Sequence, residues 1–207
     1  MAKIGIGAVP SLVQLLQDKV THVRASAIWT LAKIGKDAVP ALIQTLQNQD
    51  ISVRSNAANV LGQIGEDARD AVPALIQISQ DPEEIVRGAA AKALGSIGKD
   101  AVDAIPALIQ LLQDEVANVR SNAAEALAKI GIGAVPSLVQ LLQDEVAHVC
   151  ASAVWTLAKI GKDAVPALVQ ALQDPDTGVR YFVAVALKSI GTPEALNAVK
   201  KHQELQK

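Results

Sequence analysis

Residues 36–65 read KDAVPALIQTLQNQDISVRSNAANVLGQIG, and this stretch decides the fold. Asp37 stands three residues before Pro40, the spacing expected when a cap residue is followed by a proline in the first helical turn, where its missing N–H would have no partner in any case. Leu42, Ile43 and Leu46 then lie on one helical face. After a polar break, Val-Arg-x-x-Ala-Ala-x-x-Leu-x-x-Ile ends at Gly65, a residue able to take the left-handed conformation at a helix end. Two short helices, each with one apolar face, cannot bury those faces alone; they need neighbours of the same design.

The chain supplies those neighbours. Val-Pro or Ile-Pro recurs at 9–10, 39–40, 72–73, 105–106, 135–136 and 165–166, and Ile-Gly at 34–35, 64–65, 97–98, 130–131, 160–161 and 190–191. The spacing is 30 or 33 residues. Six repeats therefore tile the chain, at about 6–35, 36–65, 66–98, 99–131, 132–161 and 162–191, with a capping helix over 192–207 that opens at Thr192-Pro193-Glu194 and runs to about Gln206. They read as a single domain. Asp37, Asp70, Asp103 and Asp163 are expected to cap the first helices. The breaks Asp-Pro-Glu (81–83) and Asp-Pro-Asp (174–176) separate first from second helices. The three extra residues of the third and fourth repeats fall before their first helices, and add about one turn there.

Residues 2–44 match 128–170 with five differences (Lys19/Glu145, Thr21/Ala147, Arg24/Cys150, Ile28/Val154, Ile43/Val169), the mark of a duplicated four-repeat block. Met1 to Gly5 read as the tail of a second helix, as though the array had been cut from a longer one. Lys3 and the apolar run after it resemble a weak leader, but Ala2–Asp18 recurs letter for letter at Ala128–Asp144, so the segment is an internal element.

Composition agrees. Half of the 207 residues are apolar, alanine supplies 36, and only Trp29, Trp155, Tyr181 and Phe182 are aromatic. Such a core suits closely packed helices better than a sheet. Nineteen basic against 21 acidic residues give −2, which argues against a nucleic-acid partner. One cysteine excludes an internal disulfide and a cysteine-based zinc site, and three scattered histidines give no metal centre. The sequence holds no uninterrupted apolar run of about 18 residues, so no membrane contact is expected; a cytoplasmic monomer without a cofactor is.

The pattern D-A-V-P-A-L-x-Q-x-L-x-D, then V-R-x-x-A-A-x-A-L-x-x-I-G, closely resembles the HEAT-like repeat of phycobilisome lyases and many other bacterial and archaeal proteins, from about Gly7 to Gly191. The resemblance implies an all-α fold, a right-handed α-α superhelix with first helices outside and second helices lining a concave face. It also implies a ladder between the turn aspartates (Asp18, Asp81, Asp114, Asp144, Asp174) and second-helix arginines (Arg24, Arg54, Arg87, Arg120, Arg180). Asn48 and Cys150 depart from that ladder.

Six repeats sample each position six times. The outer face of the first helices repeats a glutamine pair, from Gln14/Gln17 to Gln170/Gln173, and carries little information. The second helices vary: His22-Ser26-Trp29-Lys33, Ser52-Asn56-Asn59-Gln63, Ile85-Ala89-Lys92-Ser96, Asn118-Asn122-Glu125-Lys129, His148-Ser152-Trp155-Lys159 and Gly178-Phe182-Val185-Ser189. From this stripe, His22, Ser26, Trp29, Lys33, Asn56, Asn59, Lys92, Asn122, Glu125, Ser152, Trp155, Lys159 and Phe182 are the candidate partner-binding residues, with the tryptophans as anchors about 35–40 Å apart at ordinary helix spacing. Tyr181 and Phe182 are expected against the capping helix. Phosphate-binding, nucleophile-elbow and zinc-protease motifs are missing. The expected function is a non-catalytic scaffold for a protein partner or extended peptide. The alternatives are a phycobilin-lyase-like chromophore handler, the recognition arm of a larger signalling protein, and a nucleic-acid glycosylase of the HEAT-like type, the last disfavoured by charge.

Overall fold

Glycine ends each second helix for a backbone reason. Gly35, Gly65, Gly98, Gly131, Gly161 and Gly191 all have φ between 71° and 84°, a region in which a Cβ is strained. In the computed structural model, which describes residues 2–205 and side chains from Gly5 onward, all regular structure is helical. Gln206, the expected last helical residue, and Met1 lie outside the described residues.

The helices are α1 (Ala2–Gln14), α2 (Thr21–Ile34), α3 (Val39–Thr45), α4 (Ile51–Ile64), α5 (Val72–Ile78), α6 (Glu84–Ile97), α7 (Ile105–Leu111), α8 (Ala117–Ile130), α9 (Val135–Gln140), α10 (Ala147–Ile160), α11 (Val165–Ala171), α12 (Thr177–Ile190) and α13 (Pro193–Leu205). Odd-numbered elements through α11 are first helices, even-numbered ones are second helices, and α13 is the cap. The chain forms two compact units, Met1–Ala126 and Leu127–Lys207. In the first, α2, α4 and α6 lie side by side, with α3 and α5 packed on them. In the second, α9 and α11 pack beneath α10 and α12, and α13 covers α11 and α12. Leucines such as Leu31, Leu42, Leu61 and Leu94 in the first unit, and Leu157, Leu168 and Leu187 in the second, are fully buried between the layers.

A 3-10 turn joins each second helix to the next first helix. It spans four residues at Gly35–Ala38, Gly131–Ala134 and Gly161–Ala164, and seven at Gly65–Ala71 and Gly98–Ala104. The three extra residues thus build one more 3-10 turn, as their position predicts. Asp37, Asp70, Asp103 and Asp163 do not cap the first helices. They sit within these turns, and the cap positions are Ala38, Ala71, Ala104 and Ala164, without side-chain bonds. A 3-10 turn running straight into the helix brings its own carbonyls to the first N–H groups. The cap sites are also fully buried, where alanine fits and an unpaired carboxylate would be costly.

The connection from first to second helix is built around one Asx residue. Asp18, Asn48, Asp81, Asp114, Asp144 and Asp174 each accept, through Oδ1, the N–H two residues on, at 2.7–3.0 Å. The backbone carbonyl of the same residue takes a guanidinium Nη1 donated from the second helix: Arg24, Arg54, Arg87, Arg120 and Arg180 reach it at 2.7–3.0 Å. In the fifth repeat Cys150 Sγ takes that place, 3.1 Å from Asp144 O. In Arg54 and Arg87 the remaining edge of the guanidinium turns to the next repeat. Arg54 donates from Nε and Nη2 to both oxygens of Asp81 at 2.8 and 3.0 Å, and Arg87 likewise to Asp114 at 2.6 and 3.0 Å. The implied ladder therefore exists at Arg54–Asp81 and Arg87–Asp114, where each arginine holds its own turn through a carbonyl and the following turn through a carboxylate.

Identical letters take two forms. At Ala128–Asp144 the segment closes α8, turns at Gly131 and opens α9. At Ala2–Asp18 the same residues form α1 without a break at Gly5. The expected second-helix tail at the N-terminus is thus the first turn of α1. Glycine permits a positive φ; it does not impose one, and inside a helix it costs only about 1 kcal/mol. The stop is made by α8 and what it packs on.

By length and apolarity Ala117–Gln143 would pass as a membrane-crossing helix. The backbone breaks it at Gly131 into α8, a 3-10 turn and α9.

Close approach has its own glycines. A Cβ on Gly95 would lie 2.7 Å from Ala126 Cα, and one on Gly62 would lie 3.1 Å from Ala93 Cα. Gly95→Ala is expected to lower stability by about 1–3 kcal/mol through overpacking, although alanine is the better helix former. Gly7, with open space around it, should gain about 0.5–1 kcal/mol on replacement by alanine; thermal melts of the two variants check the opposite signs.

The Arg87 hydrogen bond holds the Asp114 carboxyl below the usual carboxylate range, against the opposing effect of burial. A depressed folded value means this contribution is complete above that range and fades as pH falls through the folded value. Asp114→Asn should cost about 1–3 kcal/mol near neutrality and flatten acid unfolding, the two stability curves converging at low pH. Equal acid slopes for both proteins would contradict the assignment.

Candidate binding face of the second helices

The stripe is exposed where repeats differ most. In the first unit Trp29 is 61% exposed on α2, and Lys33, one turn on, places its Nζ 5.6 Å from the ring centroid. In the second, Trp155 is 40% exposed on α10, with Lys159 Nζ at 5.0 Å. Spacing by four residues puts each cation over its ring. Both tryptophans face solvent.

In the first unit His22, Ser26, Lys92 and Glu125 are exposed, and Asn56, Asn59 and Asn122 are half-buried. These three asparagines divide by what they touch. Asn56 donates to Leu16 O at 3.0 Å, and Asn122 to Gly88 O at 3.3 Å. Both tie neighbouring repeats together. Among the described residues Asn59 has no hydrogen-bond partner, and it lines two adjoining cavities of about 360 and 370 Å³, both of which it shares with Lys92. Gly62, Ala93 and Ser96 line one, and Ile85, Asn118 and Asn122 the other. Ile85 is 60% exposed. Ile85, Gln63, Ser96 and Asn118 were visible on the stripe, but chemistry alone did not separate them from solvated positions.

In the second unit Ser152 is half-buried and its hydroxyl donates to His148 O at 2.8 Å. Phe182 is half-buried and meets Tyr181 edge to face, centroids 5.5 Å apart. Tyr181 is 64% exposed, so the expectation that it packs under the cap is corrected: a residue one step from Phe182 points about 100° away around the helix. A further cavity of about 370 Å³ lies between α11 and α13, lined by Leu172, His202 and Leu205 among others; no repeat motif marks it.

Among the described residues no three His, Cys, Asp or Glu side chains converge as a metal site. Cys150 is buried, and burial, with the Asp144 charge adding to it, pushes its thiol up. That is the opposite of what an activated nucleophile needs.

Helix hairpins stacked through recurring turns define a helical-repeat protein. The chain belongs to the HEAT-repeat family: residues 8–38 match the HEAT repeat, and 39–128, 72–153 and 135–204 match tandem HEAT repeats. An engineered protein is 26% identical, with 88% of this chain and 96% of that one covered, at a TM-score of 0.52. The complex of CpcE and CpcF of phycocyanin lyase from Nostoc sp. PCC7120 is 25% identical over 94% and 93%, TM-score 0.53. The archaeal HEAT-like repeats protein from Thermococcus onnurineus NA1 shares the fold at 14% identity over 95% and 96%, TM-score 0.58. No curated protein matches in sequence. Folds of this class generally serve as scaffolds that bind proteins or peptides.

A thiol-reactive reagent is expected to label Cys150 only as the protein unfolds, and the labelling rate should follow denaturant as the helical signal does. Fast labelling of the folded protein would show an accessible thiolate.

Proposed function

We propose that this protein is a non-catalytic scaffold that binds a protein partner or extended peptide on the exposed face of its second helices. The observation that carries the reading is the pair of tryptophans held in solvent, Trp29 and Trp155, each under a lysine. A large ring left in water forgoes burial worth about 1.5–3 kcal/mol, and tryptophan is enriched among residues that dominate binding energy. Around them the frame supports presentation: the arginine staples and buried leucines hold the helices, leaving the face to vary. Ser26, Lys33, Asn59, Lys92, Glu125 and Lys159 supply its polar chemistry, and Phe182 an apolar contact. The cytoplasm suits a lone cysteine kept as a thiol.

The likeness to phycocyanin lyase favours a second reading, chromophore handling. Unchanged visible absorption when a bilin is mixed with the protein would remove it.

Trp29→Ala and Trp155→Ala should leave helical content and melting temperature close to the parent. Each should weaken a partner captured from source cells, identified and purified, by about 2 kcal/mol or more. Unfolding of either variant would make the ring part of the core; unchanged affinity in both would move the binding face elsewhere.

A further inference from the structure

Four consecutive repeats of the first unit place four different chemistries in one register. Trp29, Asn59, Lys92 and Glu125 each lie five residues before the closing isoleucine of their second helix, Ile34, Ile64, Ile97 and Ile130. The row is an aromatic ring, an amide, a cation and an anion, on α2, α4, α6 and α8. Trp29, Lys92 and Glu125 are exposed, and Asn59 is half-buried. With the described residues Asn59 makes no hydrogen bond, and neither Lys92 nor Glu125 forms an ion pair. Asn56 and Asn122, one turn away on the same helices, are both committed to backbone carbonyls. Asn59 and Glu125 are thus left open where Asn56 and Asn122 beside them are tied. The row borders open volume too, since the two cavities meet at Asn59 and Lys92.

Geometry selects the occupant. Packed helices lie about 8–10 Å apart, and α4 and α6 approach closely, with Gly62 against Ala93. A β-strand brings side chains back to one face about every 7 Å, so it drifts out of step within two repeats. A polyproline II chain returns to the same face every three residues, about 9 Å, and keeps step.

We propose that the first unit binds a peptide in the polyproline II conformation, one peptide turn per repeat. A proline or apolar side chain lies on Trp29, a polar group on Asn59, an acidic side chain at Lys92 and a basic one at Glu125. Acid and base then stand three residues apart in the ligand. The proposal rests on the scaffold reading and adds the ligand class and its register. The Trp29 ring suits proline because an aromatic face packs against the flat, preformed ring of such a chain.

The test uses a phage-displayed library of random peptides about twelve residues long, enough for four contacts three apart, selected on the whole chain. Peptides enriched on the parent are expected to share proline-rich sequence with an acid and a base three residues apart. Lys92→Glu should weaken the best peptide at least about tenfold, and changing that peptide's acid to lysine should restore binding to the variant. The double exchange Lys92→Glu with Glu125→Lys should select peptides with the two charges reversed. Circular dichroism of each variant should match the parent, since both side chains are exposed. Peptides that lose binding on Trp29→Ala yet ignore Lys92→Glu would overturn the register and leave the scaffold reading intact. A parent protein that enriches no peptide would overturn the ligand class, with the scaffold reading still judged by its own captured partner.

Discussion

The frame depends on one contact: a guanidinium pressed onto the carbonyls of the turn before it. A first helix ends with carbonyls that have no partner in the helix, and the chain must leave it and enter the second helix within a few residues. The Asx side chain closes the turn from one side by accepting the N–H two residues on. The arginine, one turn into the second helix, closes it from the other by donating to the turn carbonyl. Hairpin angle and hairpin stability therefore come from the same pair of residues. In two repeats the same arginine adds a bidentate bond to the aspartate of the following turn, Arg54 to Asp81 and Arg87 to Asp114. Such pairs are stronger than neutral bonds and geometrically exacting, so they fix the register between hairpins as well as within them. The fifth repeat shows which half is indispensable. Cys150 keeps a weak donor near the turn carbonyl and gives up the reach toward the next turn.

This division explains why the second-helix face is free to differ. Once turns and leucines carry the stacking, the polar edge of a second helix has no structural duty unless it is recruited. Some positions are. Asn56 and Asn122 reach carbonyls of adjacent repeats, and Gly62 and Gly95 let helices approach where a methyl would meet backbone or Cβ atoms. Others remain outside the frame, including Trp29, Asn59, Lys92 and Trp155. The proposed binding role belongs with the second group, because a residue already holding a carbonyl must break that bond to meet a ligand.

Most of the fold was legible because periodicity reports it directly. The Val-Pro and Ile-Gly markers place the helix starts and stops, and the three-residue insertions appear as longer 3-10 turns where the spacing puts them. The misreadings share a cause. Asp37 and its equivalents look like caps, since the motif is written in sequence as cap-then-proline; a buried alanine and a 3-10 turn do the work instead. Asn56 and Asn59 cannot be told apart by composition or register, because the difference is what lies across from each amide. Tyr181 and Phe182 are adjacent in sequence and separate in exposure for the same kind of reason. Sequence states which face a residue occupies. It does not state whether a neighbour has claimed that residue.

The seventeen residues shared by Ala2–Asp18 and Ala128–Asp144 carry this point to its limit. Their local propensities are identical by construction, so any difference between α1 and the α8–α9 turn must come from the surroundings. The glycine stop is then a property of the stacked array, read from the sequence only because the array repeats it. The proposed binding face obeys the same logic in reverse. Its letters change from each repeat to the next and recur only with the duplicated block, as His22-Ser26-Trp29-Lys33 and His148-Ser152-Trp155-Lys159, so stacking does not dictate them. In a repeat protein the letters that recur in every repeat describe the protein to itself. Those that do not, and that no backbone carbonyl or carboxylate within the chain has taken up, are the ones left to describe a partner.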